Sequence, residues 1–271
     1  MKKGKIMDED KIPTIRLSQK NICRVNIGSA LDIGTRKNQE DSIFGFAEGQ
    51  RAIGIVCDGM GGLAGGEEAS RSAAVSLAEA WFERTQIDDV PAFLQQEARR
   101  ADEKVAGWKN KNEQPLAAGT TIAAAVILGN DMYWLSVGDS RIYLIHGNEI
   151  RTLNRLHNYR MALDARLKRG DITPKEYAAE EYQADALISY IGMGNLSLID
   201  VNRQAVQMES GDIVILASDG LYRCMAEDEI LAAAVGYADD MQAAADALIH
   251  MASLKLTNGQ DNTSVVLMSY W

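Results

Sequence analysis

Cysteines, histidines and long hydrophobic runs are scarce in this chain of 271 residues. Its three cysteines, Cys23, Cys57 and Cys224, are odd in number and widely spaced, which argues against a disulfide framework or a cysteine-based zinc site. No apolar run approaches the roughly 18 to 20 residues of a membrane-spanning helix, and the lysine-rich start lacks the apolar stretch of a signal peptide. We therefore expect a cytoplasmic protein with no membrane partner.

Basic residues are in the minority, with 28 lysines and arginines against 38 aspartates and glutamates. A formal charge of -10 without a basic stripe argues against a nucleic-acid partner, because binding to phosphates requires clustered cations. Residues 1–20 hold six basic side chains against three acidic ones, which leaves 22 against 35 in residues 21–271. We predict a loose basic N-terminal tail over 1–20 and a single domain over 21–271.

The hydrophobic pattern alternates between short strands and amphipathic helices. Strands joined by two or three turn residues are antiparallel, so the expected fold class is α+β with antiparallel sheets. A charged, helix-prone stretch from Arg155 to about Tyr182, interrupted by Pro174, is too polar to belong to the core. The predicted elements are strands at 21–27, 42–46 and 51–57, helices from Glu67 and from near Asp88, a four-stranded meander over 120–153, strands at 198–206 and 212–217, helices at 226–235 and 239–251, and a strand at 263–268.

Acidic residues gather where the predicted strands begin or end. Taken singly, an Asp-Gly pair is more often an ordinary turn than a functional site. Together, these carboxylates could converge in one cleft, and like charges at close range need compensation. Because no histidine or cysteine is among them, Mg²⁺ or Mn²⁺ is favoured over Zn²⁺. The residues concerned are Glu40, Asp41, Asp58, Asp139, Asp219 and Asp261.

Six motifs resemble, in order, those of the metal-dependent (type 2C) Ser/Thr protein phosphatases, and they resemble the bacterial-type members in particular. They span residues 36 to 262, nearly the whole chain. The motifs are Arg36-x-x-x-Glu40-Asp41, Asp58-Gly59-Met60-Gly61-Gly62, Ala118-Gly119-Thr120-Thr121, Val137-Gly138-Asp139-Ser140-Arg141, Ala217-Ser218-Asp219-Gly220-Leu221 and Gly259-Gln260-Asp261-Asn262.

The resemblance implies a sandwich of two antiparallel β-sheets flanked by pairs of α-helices, with two Mg²⁺ or Mn²⁺ ions at one end. By match to the family motifs, Asp58 would bridge both ions and Gly59 would lend its carbonyl oxygen. Asp219 and Asp261 would complete the shell of one ion. Asp139, with Asp219, would match a third, weaker metal position.

The remaining motif residues carry further expectations. Glu40 and Asp41 would act on the other side of the metal centre, partly through water. Arg36 matches the residue that holds the substrate phosphate, and its planar guanidinium can bind phosphate oxygens bidentately. A surface salt bridge is the alternative for this arginine. Asn262 is expected just behind the metal ligands.

The implied activity is that of a protein-serine/threonine phosphatase, a phosphoric monoester hydrolase of signalling proteins. The mechanism would be direct hydrolysis by a metal-activated water, with Arg36, Asp58, Asp219 and Asp261 as the catalytic residues and no phosphoenzyme. Its substrates would be proteins phosphorylated on Ser or Thr, and it would reverse a cognate Ser/Thr kinase. We expect a monomer.

Two departures from the family pattern leave alternatives open. Met60 stands where many members have a histidine that is proposed to protonate the leaving oxygen, so metal-bound water would take that role. The segment 155–185 would be the flap beside the active site, and there only His157 of the usual Asp-His-Ser motif is kept. His157 could be a pH-sensitive residue behind the metal site, although a solvated surface position is more common. The rival functions are a pseudophosphatase that binds phosphoproteins with little turnover and a phosphatase of anti-sigma antagonists.

Overall fold

The computed structural model describes residues 24–61, 65–255 and 259–271, so the predicted tail over 1–20 lies outside the described residues. Within them the chain forms thirteen strands and seven helices. In chain order these are β1 Val25–Asp32, β2 Ser42–Glu48, β3 Arg51–Cys57, β4 Gly59–Met60, α1 Gly65–Phe82, α2 Val90–Ala106, β5 Gly119–Thr120, β6 Ile122–Leu128, β7 Asp131–Val137, β8 Arg141–His146, β9 Glu149–Thr152, α3 Tyr159–Arg169, α4 Pro174–Glu180, β10 Asp200–Val201, β11 Val206–Gln207, β12 Ile213–Ala217, α5 Asp219–Tyr222, α6 Glu227–Gly236, α7 Met241–Leu254 and β13 Thr263–Tyr270.

Two antiparallel sheets form the centre of the fold. One has five strands in the order β1-β13-β12-β8-β9, and the other has the order β10-β7-β6-β3-β2, with β11 also paired to β7. Strands β4 and β5 form a separate short pair beside them. The expected fold class, α+β with a sandwich of antiparallel sheets, is confirmed.

Three apolar layers hold the sandwich together. One fills the space between the two sheets, the second lies between the six-stranded sheet and the helices α1 and α2, and the third lies between the five-stranded sheet and α6 and α7. Strand β3 contributes to two of them, since Ile53 and Ile55 face the α1/α2 side while Ala52 and Val56 face the other sheet. A strand buried on both faces explains why this segment is an unbroken apolar run.

The meander prediction was wrong at the turn Gly138-Asp139-Ser140. Strand β7 pairs with β6 and β10, whereas β8 pairs with β12 and β9, so the chain crosses here from one sheet to the other. Gly138 makes the crossing possible with a φ of 101°, in the left-handed region that favours glycine. As a result Asp139 lies between the two sheets.

Two other strand predictions needed correction. The first strand runs from Val25 to Asp32 and so continues past Gly28. The glycine lets α7 pack closely against the strand, since a Cβ at Gly28 would lie 1.9 Å from the carbonyl oxygen of Met241. The predicted strand over 198–206 is two short strands. Between them the side chain of Asn202 accepts from the Trp134 N–H at 2.7 Å, in place of a backbone partner.

The flap segment (residues 155–185) folds into α3, α4 and a short 3-10 turn over Glu181–Gln183. Pro174 begins α4 rather than breaking a helix, since Thr173 caps that helix through the N–H of Glu176. The segment has a small core of its own, formed by Leu163, Ile172 and Ala184.

Cys57 and Cys224 are free thiols, and Cys23 lies outside the described residues. In the part of the chain that the structure describes, no helix has both the length and the apolar character to cross a membrane.

Candidate active site

Asp58 follows β3 directly, and the motif around Thr120 and Thr121 fixes its backbone. Its carbonyl oxygen accepts from the Thr121 N–H at 2.8 Å and from the Thr120 hydroxyl at 2.9 Å. Its own N–H donates to Thr121 Oγ1 at 3.0 Å, and that oxygen also lies 2.6 Å from Ser140 Oγ. The Thr-Thr motif therefore positions Asp58 beside the turn that carries Asp139.

Gly59 is the point where three segments meet. Its N–H donates to the carbonyl oxygen of Glu40 at 3.1 Å. A Cβ at this position would lie 2.3 Å from the carbonyl oxygen of Gly66, in the first turn of α1, and 2.4 Å from that of Glu40. Only glycine permits this approach, which brings the segments bearing Asp58 and Glu40 together.

Asn262 joins the segment before β13 to the loop that carries Arg36. Its Oδ1 accepts from the Glu40 N–H at 2.7 Å, and its Nδ2 donates to the carbonyl oxygens of Ile33 and Asn38 at 2.9 and 3.1 Å. Asn262 therefore supports the backbone of Glu40, and it also lines the cleft beside Asp261.

Asp219 begins the short helix α5, one residue after β12 ends. A Cβ on the next residue, Gly220, would lie 2.1 Å from the carbonyl oxygen of Asn262. The Ser218 N–H donates to Ser264 O at 3.0 Å, and the Ser264 N–H donates to Ser218 Oγ at 2.9 Å. These contacts hold the turns of Asp219 and Asp261 against each other.

The structure brings most of the predicted site residues to one cleft of about 530 Å³. Asp41 lies below its surface, with 5% of its area exposed, and His157 lies away from it. Met60, Lys37 and Thr121 also line the cleft. The predicted residues that line it are Arg36, Glu40, Asp58, Gly59, Asp139, Asp219, Asp261 and Asn262.

Burial and mutual repulsion make the acidic residues of the cleft hard to ionise. Burial, followed by the charges of Asp41 and Asp219, raises the pKa of Asp58 well above its usual range. Burial raises the pKa of Asp139 to about 6, with Asp219 adding to the effect. The pKa of Asp41 rises to about 7, again mainly through burial. Such a group of carboxylates is stabilised by cations.

Arginines supply part of this compensation. Arg36 Nη2 lies 2.6 Å from Asp261 Oδ2, and Arg223 Nη2 lies 3.0 Å from Asp219 Oδ2. Burial raises the pKa of Asp219, and Arg223 opposes that rise. Among the described residues, no three acidic, histidine or cysteine side chains are arranged as a ready metal cage.

The donor set nevertheless fits hard divalent cations. Two buried carboxylate oxygens, Asp41 Oδ2 and Asp219 Oδ1, have no hydrogen-bond partner within the described residues. Several carboxylate oxygens and the backbone of Gly59 face one cleft, and among the residues that the structure describes no imidazole or thiolate lines it. Oxygen-only ligands of this kind suit Mg²⁺ and Mn²⁺.

His157 is buried, so the more common expectation of a solvated surface histidine was wrong. Only 2% of its area is exposed. The backbone N–H of His157 donates to the carbonyl oxygen of Gly138 at 2.8 Å, and the backbone N–H of Gly138 donates to Nδ1 of the imidazole ring at 3.3 Å. Burial lowers the pKa of this histidine. It therefore ties the start of the flap segment to the turn before Asp139.

Five residues of the cleft were missed in the sequence, among them Lys37 and Asn38, which lie between Arg36 and Glu40. Arg223 lies one helical turn after Asp219, and this i,i+4 spacing could have revealed it. Asp185, the last residue of the flap segment, and Leu187, just after it, also line the cleft. No local pattern marks these two residues, because their position depends on how the segment folds back.

Comparisons with known proteins agree with this geometry. A family model described as "Protein phosphatase 2C" matches residues 33–256. Protein phosphatase PhpP of Streptococcus pneumoniae is 31% identical over 210 residues, which cover 76% of this chain and 82% of that protein. Serine/threonine phosphatase stp of Listeria welshimeri is 28% identical over 243 residues, covering 86% of this chain and 90% of that one.

Solved structures show the same similarity. The serine/threonine phosphatase PstP/Ppp of Mycobacterium tuberculosis superposes with a TM-score of 0.76 at 26% identity, covering 92% of this chain and 99% of its own. The catalytic domain of PstP, solved in complex with two manganese ions, superposes with a TM-score of 0.72 at 26% identity and the same coverage. The residues matched by the family model include Arg36 and Asp219 and end shortly before Asp261.

Proposed function

The chain belongs to the protein phosphatase 2C family and is a metal-dependent protein serine/threonine phosphatase, and we propose that its phosphoryl hydrolysis takes place in the cleft described above. The observation that carries this proposal is the convergence of Arg36 with the carboxylates of Asp58, Asp139, Asp219 and Asp261 on one cleft. These residues come from separate parts of the chain, and close backbone contacts lock them together.

Asp58, Asp219, Asp261 and the carbonyl oxygen of Gly59 would hold two ions, Mg²⁺ or Mn²⁺. Glu40 would act on the other side of the centre, and Asp41, lying deeper, would act with it through water. When bound, the ions supply an activated water and neutralise negative charge on the phosphoryl group. The chain's part is to hold its carboxylates in position for this chemistry, while the bound ions would keep them ionised.

Arg36 would orient the phosphoryl group. Its side chain is 54% exposed and lines the cleft, while Nη2 contacts Asp261 Oδ2. The remaining N–H groups can donate to phosphate oxygens in the planar, bidentate manner typical of arginine. The salt bridge to Asp261 and phosphate binding are therefore compatible roles of one side chain.

The proton for the leaving oxygen would come from water. Met60 lines the cleft where a histidine could have donated, and a thioether has no proton to give. His157 is buried behind the turn of Gly138 and does not reach the cleft. No titrating histidine should therefore control the leaving-group step.

The test is phosphate release from an aryl phosphate and from a phosphothreonine peptide, with and without Mn²⁺. We expect turnover that disappears on chelation, and a fall of about 1,000-fold in kcat/KM for Asp58→Asn. The control is Asp131→Asn, because Asp131 lies outside the cleft at the start of β7 and accepts from Gln207. Unchanged turnover in Asp58→Asn would refute the proposed centre. Peptide binding without turnover in the wild type would favour the pseudophosphatase alternative.

Finer parts of the function are also proposals. A third, weaker ion would lie between Asp139 and Asp219, supported by the burial of Asp139 and by its raised pKa of about 6. We further propose a cytoplasmic signalling role as a monomer that reverses a cognate Ser/Thr kinase. Comparing the phosphoproteome with and without the gene would identify the substrates, and light scattering would give the mass in solution.

A further inference from the structure

The guanidinium of Arg223 carries N–H donors to which the proposed phosphoryl hydrolysis assigns no role. It follows α5 directly, and its N–H donates to Asp219 O at 3.0 Å, which fixes the backbone. The preceding residue, Tyr222, donates its hydroxyl to Asp139 O at 3.0 Å, and its ring lies under the guanidinium of Arg141 at 3.9 Å. These contacts fix the backbone from which the Arg223 side chain extends.

The guanidinium of Arg223 faces the cleft in the same manner as that of Arg36. In each pair the arginine is the more exposed partner: 50% for Arg223 against 11% for Asp219, and 54% for Arg36 against 34% for Asp261. Nη2 of Arg223 lies 3.0 Å from Asp219 Oδ2. Because half of the arginine side chain is exposed, its other N–H groups can donate to a ligand in the cleft.

The space beside Arg223 can hold more than a phosphoryl group. A cleft of about 530 Å³ is in the usual range for sites that enclose a whole ligand. Asp185, at the end of the flap segment, and Leu187, just after it, line the cleft together with Arg223. Asp185 Oδ1 lies 3.5 Å from Arg160 Nη2, so its charge is partly compensated on the flap side.

We propose that Arg223 forms a subsite, between α5 and the end of the flap segment, for a second anionic group of the substrate. That group would be a phosphate or carboxylate close in sequence to the phosphoserine or phosphothreonine that is hydrolysed. The inference rests on the proposed function, since metal ions held by Asp139 and Asp219 would compensate the negative charge of the acids around Arg223. Arg36 binds the reacting phosphate, and Arg223 selects what lies next to it.

The experiment compares two phosphothreonine peptides that differ only in a neighbouring residue, either phosphoserine or alanine. We expect the wild type to favour the doubly anionic peptide by about tenfold in kcat/KM. In Arg223→Gln this ratio should fall to about one, and in Arg223→Lys it should take an intermediate value, because lysine keeps the charge but not the fork of donors. Asp185→Asn should raise the ratio.

Arg71→Gln is the matched control, because Arg71 forms an i,i+4 pair with Glu67 on α1 and does not line the cleft. Its ratio should equal that of the wild type. If Arg223 only supports Asp219, Arg223→Gln will slow both peptides equally and leave the ratio unchanged, which overturns the inference. If Arg223→Gln has no measurable turnover, the affinities of the two matching phosphonate peptides are measured by calorimetry instead. A ratio of affinities equal to that of the wild type then overturns the inference. A wild type that hydrolyses neither peptide refutes the proposed function instead.

Discussion

The floor of the cleft and the flap segment beside it are held in different ways. The floor consists of the turns that carry Asp58, Asp219 and Asp261, and backbone contacts with almost no spare room fix it. The flap segment is held largely by side-chain pairs, such as Arg166 with Glu180, which remain partly exposed. The floor should therefore tolerate little change, whereas the flap segment can change its side chains and still fold.

Gly59→Ala tests the floor and should have the largest effect. The added Cβ would meet two carbonyl oxygens at 2.3 and 2.4 Å, so the turn must move. We expect a loss of about 3 kcal/mol in the free energy of unfolding and a fall in phosphatase activity of at least about 100-fold. Urea denaturation and aryl phosphate hydrolysis measure the two effects.

Gly236→Ala is the control for this substitution. A Cβ at Gly236, the last residue of α6, would meet no atom of the described residues within 4 Å, so both measurements should stay near the wild type. Equal behaviour of the two alanine variants would show that the floor is less tightly packed than the contacts indicate.

Asp102→Asn tests the chain that returns from the flap segment. Asp102, on α2, has 2% of its area exposed and accepts from the N–H groups of Gly192, Gly194 and Leu196 at 2.7, 3.1 and 3.2 Å. Removing the charge weakens three hydrogen bonds to a buried acceptor and should lower the free energy of unfolding by about 2 kcal/mol. Its exposed neighbour Glu103, changed to Gln, is the control. Equal stability of both variants in urea would contradict this role.

Arg166→Gln tests the flap segment itself and should have a smaller effect. Arg166 Nη1 lies 2.8 Å from Glu180 Oε2 and about a third of each side chain is exposed, so losing the pair should lower the free energy of unfolding by less than Asp102→Asn does. The affinity for Mn²⁺, measured by titration calorimetry, should not change. A loss as large as that of Asp102→Asn would show that the flap segment is as rigidly held as the floor.

The sequence was most informative where chemistry demands particular residues. Asp58, Asp219 and Asp261 were found because carboxylates at strand ends, with glycines nearby, form a recurrent motif. Asp102 was missed because its partners lie about 90 residues away and its own helix pattern shows only an acidic residue. His157 was misjudged because its burial depends on the turn of Gly138, which is distant in sequence.

The connections between strands show the same limit. Strands β7 and β8 are separated by three residues, which is also the length of a hairpin turn, so spacing could not show that the chain changes sheets there. The chain changes sheets through the positive φ of Gly138. A glycine in the sequence is equally compatible with a hairpin turn, so it could not distinguish the two arrangements. Local pattern predicted which residues form strands, whereas the partner of each strand depended on packing across the whole sandwich.

The smallest predicted effect lies at the boundary between the two regions, in the pH dependence of stability. Burial lowers the pKa of His157 in the folded protein, while the unfolded chain keeps a value of about 6.5. Below that pH the residue binds a proton in the unfolded state but stays unprotonated in the folded state. Stability is therefore complete above about pH 6.5 and declines as the pH falls towards the lowered folded pKa. His157→Gln should lose this part of the slope in urea midpoints measured from pH 5 to 7.5.

His146 gives the opposite sign and serves as the comparison. Its hydrogen bond to Asp212 raises its pKa, so its contribution is present below the unfolded value and is lost as the pH rises through the folded value. His146→Gln should therefore flatten the curve on the other side, with Asp212 as the main cause of the raised pKa and Glu209 adding to it. If His157→Gln leaves the acid side unchanged, the ring takes up a proton within the folded protein. The junction between flap and floor would then be open to water, and the contrast drawn between them would fail at that point.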